Sequence, residues 1–179
     1  FYQSVVFIFN LREGSISMKR NLFMVTALLS VLMFSVLVSA AGDDMVPADP
    51  GKVWTHISQC NPYLGWGTWP GYPGIYPGKS PHGAFLKLYA NGLALKAARE
   101  GKPMPNGAII VKENYGKDQK TLMAITPMYQ VQGYNPDAGD WFWAKYSPDG
   151  TVAKSGKVKG CIDCHRTQED KDWLFTTPK

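Results

Sequence analysis

Charge is scarce in this chain. Asp, Glu, Lys and Arg make up 18% of its 179 residues, against 45% hydrophobic and 13% aromatic residues. So few charges beside so many aromatics exclude a mostly disordered chain. Cysteine is scarcer still, with three residues, too few for a disulfide scaffold. Lys and Arg never run beyond two in succession, so the net charge of +5 makes no case for a nucleic-acid partner. The 18 Gly and 13 Pro follow no triplet period, which excludes collagen. No internal repeat is present, and the length fits one globular domain rather than several.

One long apolar run stands out. Met18, Lys19 and Arg20 precede a stretch from Leu22 to Val38 interrupted by Thr26, Ser30 and Ser35, and Ser39-Ala40-Ala41-Gly42 follows. A basic start, an apolar middle and small residues at a cleavage site define a secretory signal peptide over residues 18–41, cut after Ala40 or Ala41. The competing reading is an uncleaved membrane anchor. Residues 1–17 read as an upstream extension of the reading frame. The expected product is exported, periplasmic where the cell has a periplasm, and soluble once cleaved.

Residues 1–41 carry Arg12, Lys19 and Arg20 against Glu13, a net of +2, so +3 of the total +5 falls on residues 42–179. Within that part, 42–52 read as an acidic, Pro-containing leader or linker and 53–179 as a single domain. Val53–Ile57 fits either a turn of helix or a short strand. Residues 62–81 hold five Pro, five Gly and five aromatics, which forbids a long helix or a central strand. So many rings are costly to leave in water, so the segment is expected to fold onto the core; a sugar-binding or Pro-rich ligand segment is the alternative. Ala84–Ala90 reads as a strand, Gly92–Glu100 as a helix capped by Asn91 and stopped by Gly101 and Pro103, and Ala108–Glu113 as a second strand. Leu122–Val131 reads as a strand interrupted at Pro127, Trp141–Tyr146 as a fourth, and Thr151–Lys154 as a short one after the Ser147–Gly150 turn. The fold class is therefore α+β: mainly antiparallel sheet, with an inserted helix and a C-terminal helical segment.

That last segment carries the chemistry. Cys161-Ile162-Asp163-Cys164-His165 is a c-type haem attachment sequence. Two thiols one helical turn apart can each form a thioether to a haem vinyl group, and the adjacent histidine can then ligate the iron as His165. One covalent haem c is the expected cofactor. A thioredoxin-like redox pair lacks its βαβ context here. A zinc site needs a further ligand, for which Cys60 or His82 is available, and a Cys161–Cys164 disulfide is the plainest alternative. Cys60 has no evident partner and reads as a buried small hydrophobe.

With this motif in place, four stretches in order resemble the cytochrome P-460 family, which includes the cytochrome c′-beta proteins. They are HGAFLKLYANGLA (82–94), NGAIIVKENY (106–115), GYNPDAGDWFWAKYSPDG (133–150) and GCIDCHRTQEDKDWLFT (160–176). The resemblance implies a largely β-sheet fold, one c-type haem, often a homodimer, and a five-coordinate iron open on its distal side. It implies small nitrogen species as ligands or substrates: nitric oxide bound, or hydroxylamine oxidised, with a redox partner protein in the oxidising case. It also implies a lysine at the haem edge, cross-linked in the oxidising members, which aligns with Lys112. Lys112 shares a strand face with Ala108 and Ile110; the alternative is a solvent-facing lysine at a strand end.

Those oxidising members use a distal carboxylate as proton acceptor, and no clear counterpart occurs between Leu122 and Gly133, where Met128, Tyr129, Gln130 and Gln132 stand. Glu113 and Asp140 are the remaining acidic candidates. His82 is a candidate distal hydrogen-bonding group, and Phe85, Met104, Met123 and Met128 are candidates to line the distal pocket. Three function classes stay open: a hydroxylamine-oxidising haem enzyme, a nitric-oxide-binding haem protein, and an electron-transfer cytochrome with a Met or His as sixth ligand.

Overall fold

The structure is a computed structural model that describes residues 45–176. The residues read as a signal peptide (18–41) and as an upstream extension (1–17) lie outside the described residues. The fold is α+β, with an open antiparallel sheet of seven strands and three α-helices among the described residues.

Asp49, whose carboxylate accepts from the Lys52 N–H at 2.9 Å, caps helix α1, Pro50–Thr55. The helix runs into one π-helical turn, His56–Cys60. Val53 and Ile57 are fully buried. This settles the open reading of 53–57 as helical, and the described part of the segment read as a linker, 45–52, joins the folded domain. Val46 and Ala48 pack against the core, and the Tyr129 hydroxyl donates to the Val46 carbonyl at 2.8 Å while accepting from its N–H at 3.0 Å. Cys60, the last residue of that turn, is exposed rather than buried.

The aromatic segment 62–81 folds back on the sheet as expected. It supplies two short strands, β1 (Gly67–Thr68) and β2 (Tyr76–Pro77), both paired with β3 (Phe85–Ala90). Its Trp69 and Tyr63 are buried in the two cores. Helix α2, Gly92–Glu100, follows at the expected residues, and Gly101 ends it with φ of 62°, a conformation glycine adopts without penalty. Strands β4 (Ile109–Tyr115), β5 (Leu122–Gln130), β6 (Trp141–Tyr146) and β7 (Val152–Gly156) then form an antiparallel meander. Strand β5 runs on through Pro127, against expectation. Pro127 keeps its place opposite Val111 on β4, and the ladder to β6 joins Ile125 to Tyr146 and resumes at Met128 and Trp143. A proline lacks only the N–H, so one missing rung suffices to hold it.

Both sheet faces are covered, so β4 buries side chains on both: Ile110 in one core, Ile109 and Val111 in the other. One core gathers Ile109, Val111, Ile125, Tyr129, Phe142 and Tyr146 under α1. The other gathers Leu88, Ile110, Met128, Trp143 and the alanines of α2, closed by Trp173 and Leu174. Asn91 ties this second core together. Its Oδ1 accepts from Ala94 N at 3.0 Å and Ile109 N at 3.1 Å, while its Nδ2 donates to the Gly107 carbonyl at 2.8 Å. Asn91→Ala removes a helix cap and leaves a buried N–H and a buried carbonyl unpaired. It is expected to lower stability by about 2–4 kcal/mol in denaturant unfolding.

Candidate haem site

Strand register builds a floor of side chains on the second face. Leu88 faces Lys112, which faces Thr126; Ile110 faces Met128, which faces Trp143; and Asn114 faces Ala124. Opposite this floor stands helix α3, Lys159–His165, with the chain that follows it to Thr176. Between them lies a cavity of about 540 Å³, bordered from the helix side by Cys161, Cys164, His165, Leu174 and Phe175. That size falls within the roughly 300–1,000 Å³ usual for cofactor clefts.

The spacing of the motif puts both thiols and the imidazole on this one cavity. Cys161 is half-buried, which pushes its thiol pKa upward; Cys164 is exposed; and neither is in a disulfide. His165 is buried, and its Nδ1 lies 2.7 Å from the Trp173 carbonyl. A carbonyl only accepts, so Nδ1 carries the proton and Nε2 is left bare, the state required of a metal ligand. The turn that delivers this carbonyl is built for it. Asp172 and Trp173 both hold left-handed backbone, with φ of 56° and 64°, and the Asp172 carboxylate accepts from Met104 N. Trp173 is pinned from below by Gly139, where an added Cβ would fall 2.5 Å from the indole nitrogen. Burial lowers the His165 pKa, and the nearby Lys112 adds to this against the Trp173 hydrogen bond.

Lys112 borders the cavity, on the strand face expected from alternation. Burial brings its pKa down from 10.5 to about 8, against an opposing pull from Cys164. About a tenth of the amine is therefore neutral at pH 7, the nucleophilic form.

The distal candidates divide. His82 and Met128 border the cavity, and so does Met123 although it is largely exposed. Phe85 does not: alternation along β3 turns it with Lys87 and Tyr89 to the other face. Glu113 fails for the same reason. It is buried on the opposite face of β4, accepting from the Tyr63 hydroxyl at 2.9 Å and the Tyr115 hydroxyl at 2.7 Å. This carboxylate pushes both tyrosine pKa values above their usual range, after burial itself. Asp140 accepts from Gly133 N and Asn135 N, both at 2.9 Å, and shapes a loop. Met104 lies in the core away from the cavity. Sequence reasoning passed over Asn114, Thr126 and Trp143. The signal for them was the period-two alternation from Lys112 and its register neighbours, which needs the strand pairing to be read.

The residues present fit a haem. The donor set is two thiols and one imidazole with a bare nitrogen, facing a mostly apolar floor. The indole nitrogen of Trp143, which also borders the cavity, is buried without a partner among the described residues. No group of three or more His, Cys, Asp or Glu there could hold a bare metal ion, so the zinc alternative gains no support. Fold and site together define a c-type haem protein built on an antiparallel sheet. A family model for cytochrome P460 matches residues 75–176, more than half of the chain, and the chain belongs to that family. Comparison with individually characterised proteins returns no match.

Proposed function

We propose that this chain is an exported mono-haem c protein whose distal side is open to small nitrogen species. The observation that carries this reading is the single cavity on which Cys161, Cys164 and His165 converge opposite Lys112 and an apolar floor. Cys161 and Cys164 would hold the macrocycle through thioethers, each thiol adding its sulfur and its hydrogen across a vinyl group. His165 Nε2 would ligate the iron, its ring held by the Trp173 carbonyl. The haem, when bound, supplies an iron that takes small ligands and exchanges electrons. Lys112 would place a titratable amine beside it, and Leu88, Ile110 and Met128 would give it apolar contact. The choice between binding nitric oxide and oxidising hydroxylamine falls to the polar groups lining the cavity, among which the described residues include no carboxylate. Oxidation would also need a redox partner protein, and family membership favours a homodimer.

The test is a pair of titrations of the haem-loaded ferric protein, with hydroxylamine and with nitric oxide, followed by absorption. Saturable spectral change with at least one of them is expected; no change with either would contradict an open site. Turnover of hydroxylamine with an electron acceptor separates the enzyme from the gas binder. The second reading, an electron-transfer cytochrome with six-coordinate iron, draws on Met128 and His82, which both border the cavity. Sharp, strong visible bands in the reduced protein would favour it. Export predicts an N-terminus at Ala41 or Gly42 in protein recovered from the host that makes it, and retention of Met18 in a membrane fraction would refute cleavage.

A further inference from the structure

The cavity is also lined by a hydrogen-bonded array, His82 and Asn114, in which the His82 tautomer can be assigned. Asn114 is buried at the centre. One end of its amide faces the carbonyls of Lys112 at 3.0 Å and Ala124 at 3.1 Å. Carbonyls only accept, so this end is the NH2 group. The other end is then Oδ1, which accepts from Gly83 N at 3.4 Å and lies 2.9 Å from His82 Nδ1. Oδ1 has no proton to give, so Nδ1 of His82 must carry one. Neutral imidazole has a single ring proton, so Nε2 is bare. Among the described residues it has no hydrogen-bond partner, and the ring borders the cavity.

The array is braced on both sides. Thr126 Oγ1 lies 3.0 Å from Asn114 Nδ2 and 3.3 Å from the Lys112 carbonyl. Leu86 and Ala124 flank Asn114 in the sheet register. His82 also stays neutral: burial first, and then the nearby Lys112 ammonium, bring its pKa down to about 4 against the Asn114 bond.

We propose that His82, held as its Nδ1–H tautomer by Asn114, selects the ligand of this cavity: its bare Nε2 accepts a hydrogen bond and favours ligands that carry N–H or O–H. Hydroxylamine has both kinds of hydrogen. Nitric oxide has none and gains nothing from an acceptor. The inference rests on the open site described above and names its substrate class. It also explains how the pocket manages without a carboxylate, since a neutral imidazole acceptor occupies that role.

The test uses the haem-loaded protein and two readouts. The first is the 15N NMR spectrum of His82 in the diamagnetic ferrous, carbon monoxide-bound form of the wild type. A protonated Nδ1 and an unprotonated Nε2 are expected; a proton on Nε2 would overturn the proposal. The second is the affinity ratio for hydroxylamine over nitric oxide in the ferric protein. His82→Ala is expected to weaken hydroxylamine about 3- to 10-fold, the worth of one neutral hydrogen bond, and to leave nitric oxide within about twofold. His82→Gln, whose amide oxygen can accept, should recover part of the loss. An unchanged ratio would sink the proposal while leaving the open site standing. Tighter binding of both ligands in His82→Ala would mean that Nε2 sits on the iron itself, and would overturn it too. Failure of the wild type to bind either ligand would instead refute the open site.

Discussion

Cys161→Ala/Cys164→Ala is expected to give protein from which haem is lost on dilution and extracted completely by acidified organic solvent. The wild type should retain all of its haem under the same treatment. The reason lies in how little else grips the cofactor. His165 offers one imidazole, and the floor of Leu88, Ile110 and Met128 offers apolar contact. The cavity itself is open to solvent through the exposed residues Lys117, Lys145 and Lys154. A covalent tether converts rebinding into an intramolecular event, and removing both tethers removes that advantage. Either single variant should keep non-extractable haem through the remaining thioether. His165→Ala should keep the haem but change its spectrum, because it removes the ligand and not the tether. A double variant whose haem resists extraction would mean that these thiols are not the attachment points.

The second large effect is expected at Lys112. Its amine is cationic below about pH 8 and neutral above it. A cation beside the haem disfavours the ferric state, so the reduction potential should fall as the pH rises through about 8. A shift on the order of tens of millivolts is expected for a charge at this range in a partly screened site. Lys112→Ala should have the lower potential already at pH 7 and should lose the step. The same group sets a stability trend of known sign. Its folded pKa of about 8 lies below the ordinary 10.5, so the buried ammonium costs stability fully below pH 8, and the cost fades as pH rises toward 10.5. Lys112→Met is therefore expected to be the more stable protein at pH 7, by roughly 1–3 kcal/mol, and to lose that margin above about pH 10. Lys154 borders the cavity and is no control; the exposed Lys120, outside it, should show neither effect. Wild-type potential, spectrum and pH dependence in Lys112→Ala would mean that the amine does not act on the haem.

What could be read from the chain alone follows from the range over which each signal acts. The attachment motif is local, five residues whose spacing matches one helical turn, and all three of its functional side chains meet at the cavity. Helix α2 was legible for the same reason: its cap, alanine face and stop signals all lie within Asn91–Pro103. Lys112 needed only alternation along its own strand. Asn114 and Thr126 needed the pairing of β4 with β5, and that register is set by contacts between distant segments rather than by either strand. Glu113 shows the converse error. It is one residue from Lys112 in sequence and on the opposite face in space, so closeness along the chain said nothing about sharing a site. The first helix was hidden because Pro50 and Gly51 read as linker, although proline at a helix start loses no hydrogen bond. Pro127 misled in the other direction, since its missing N–H removes one rung without ending a strand.

The most direct measurement is the intact mass of the wild-type chain under denaturing conditions, after expression with a c-type maturation system. Thioether formation by addition expels no atom, so the mass should equal that of the mature polypeptide plus one whole haem, with no free thiol at Cys161 or Cys164. The mass of the bare polypeptide, alongside a control cytochrome matured in the same cells, would contradict the account.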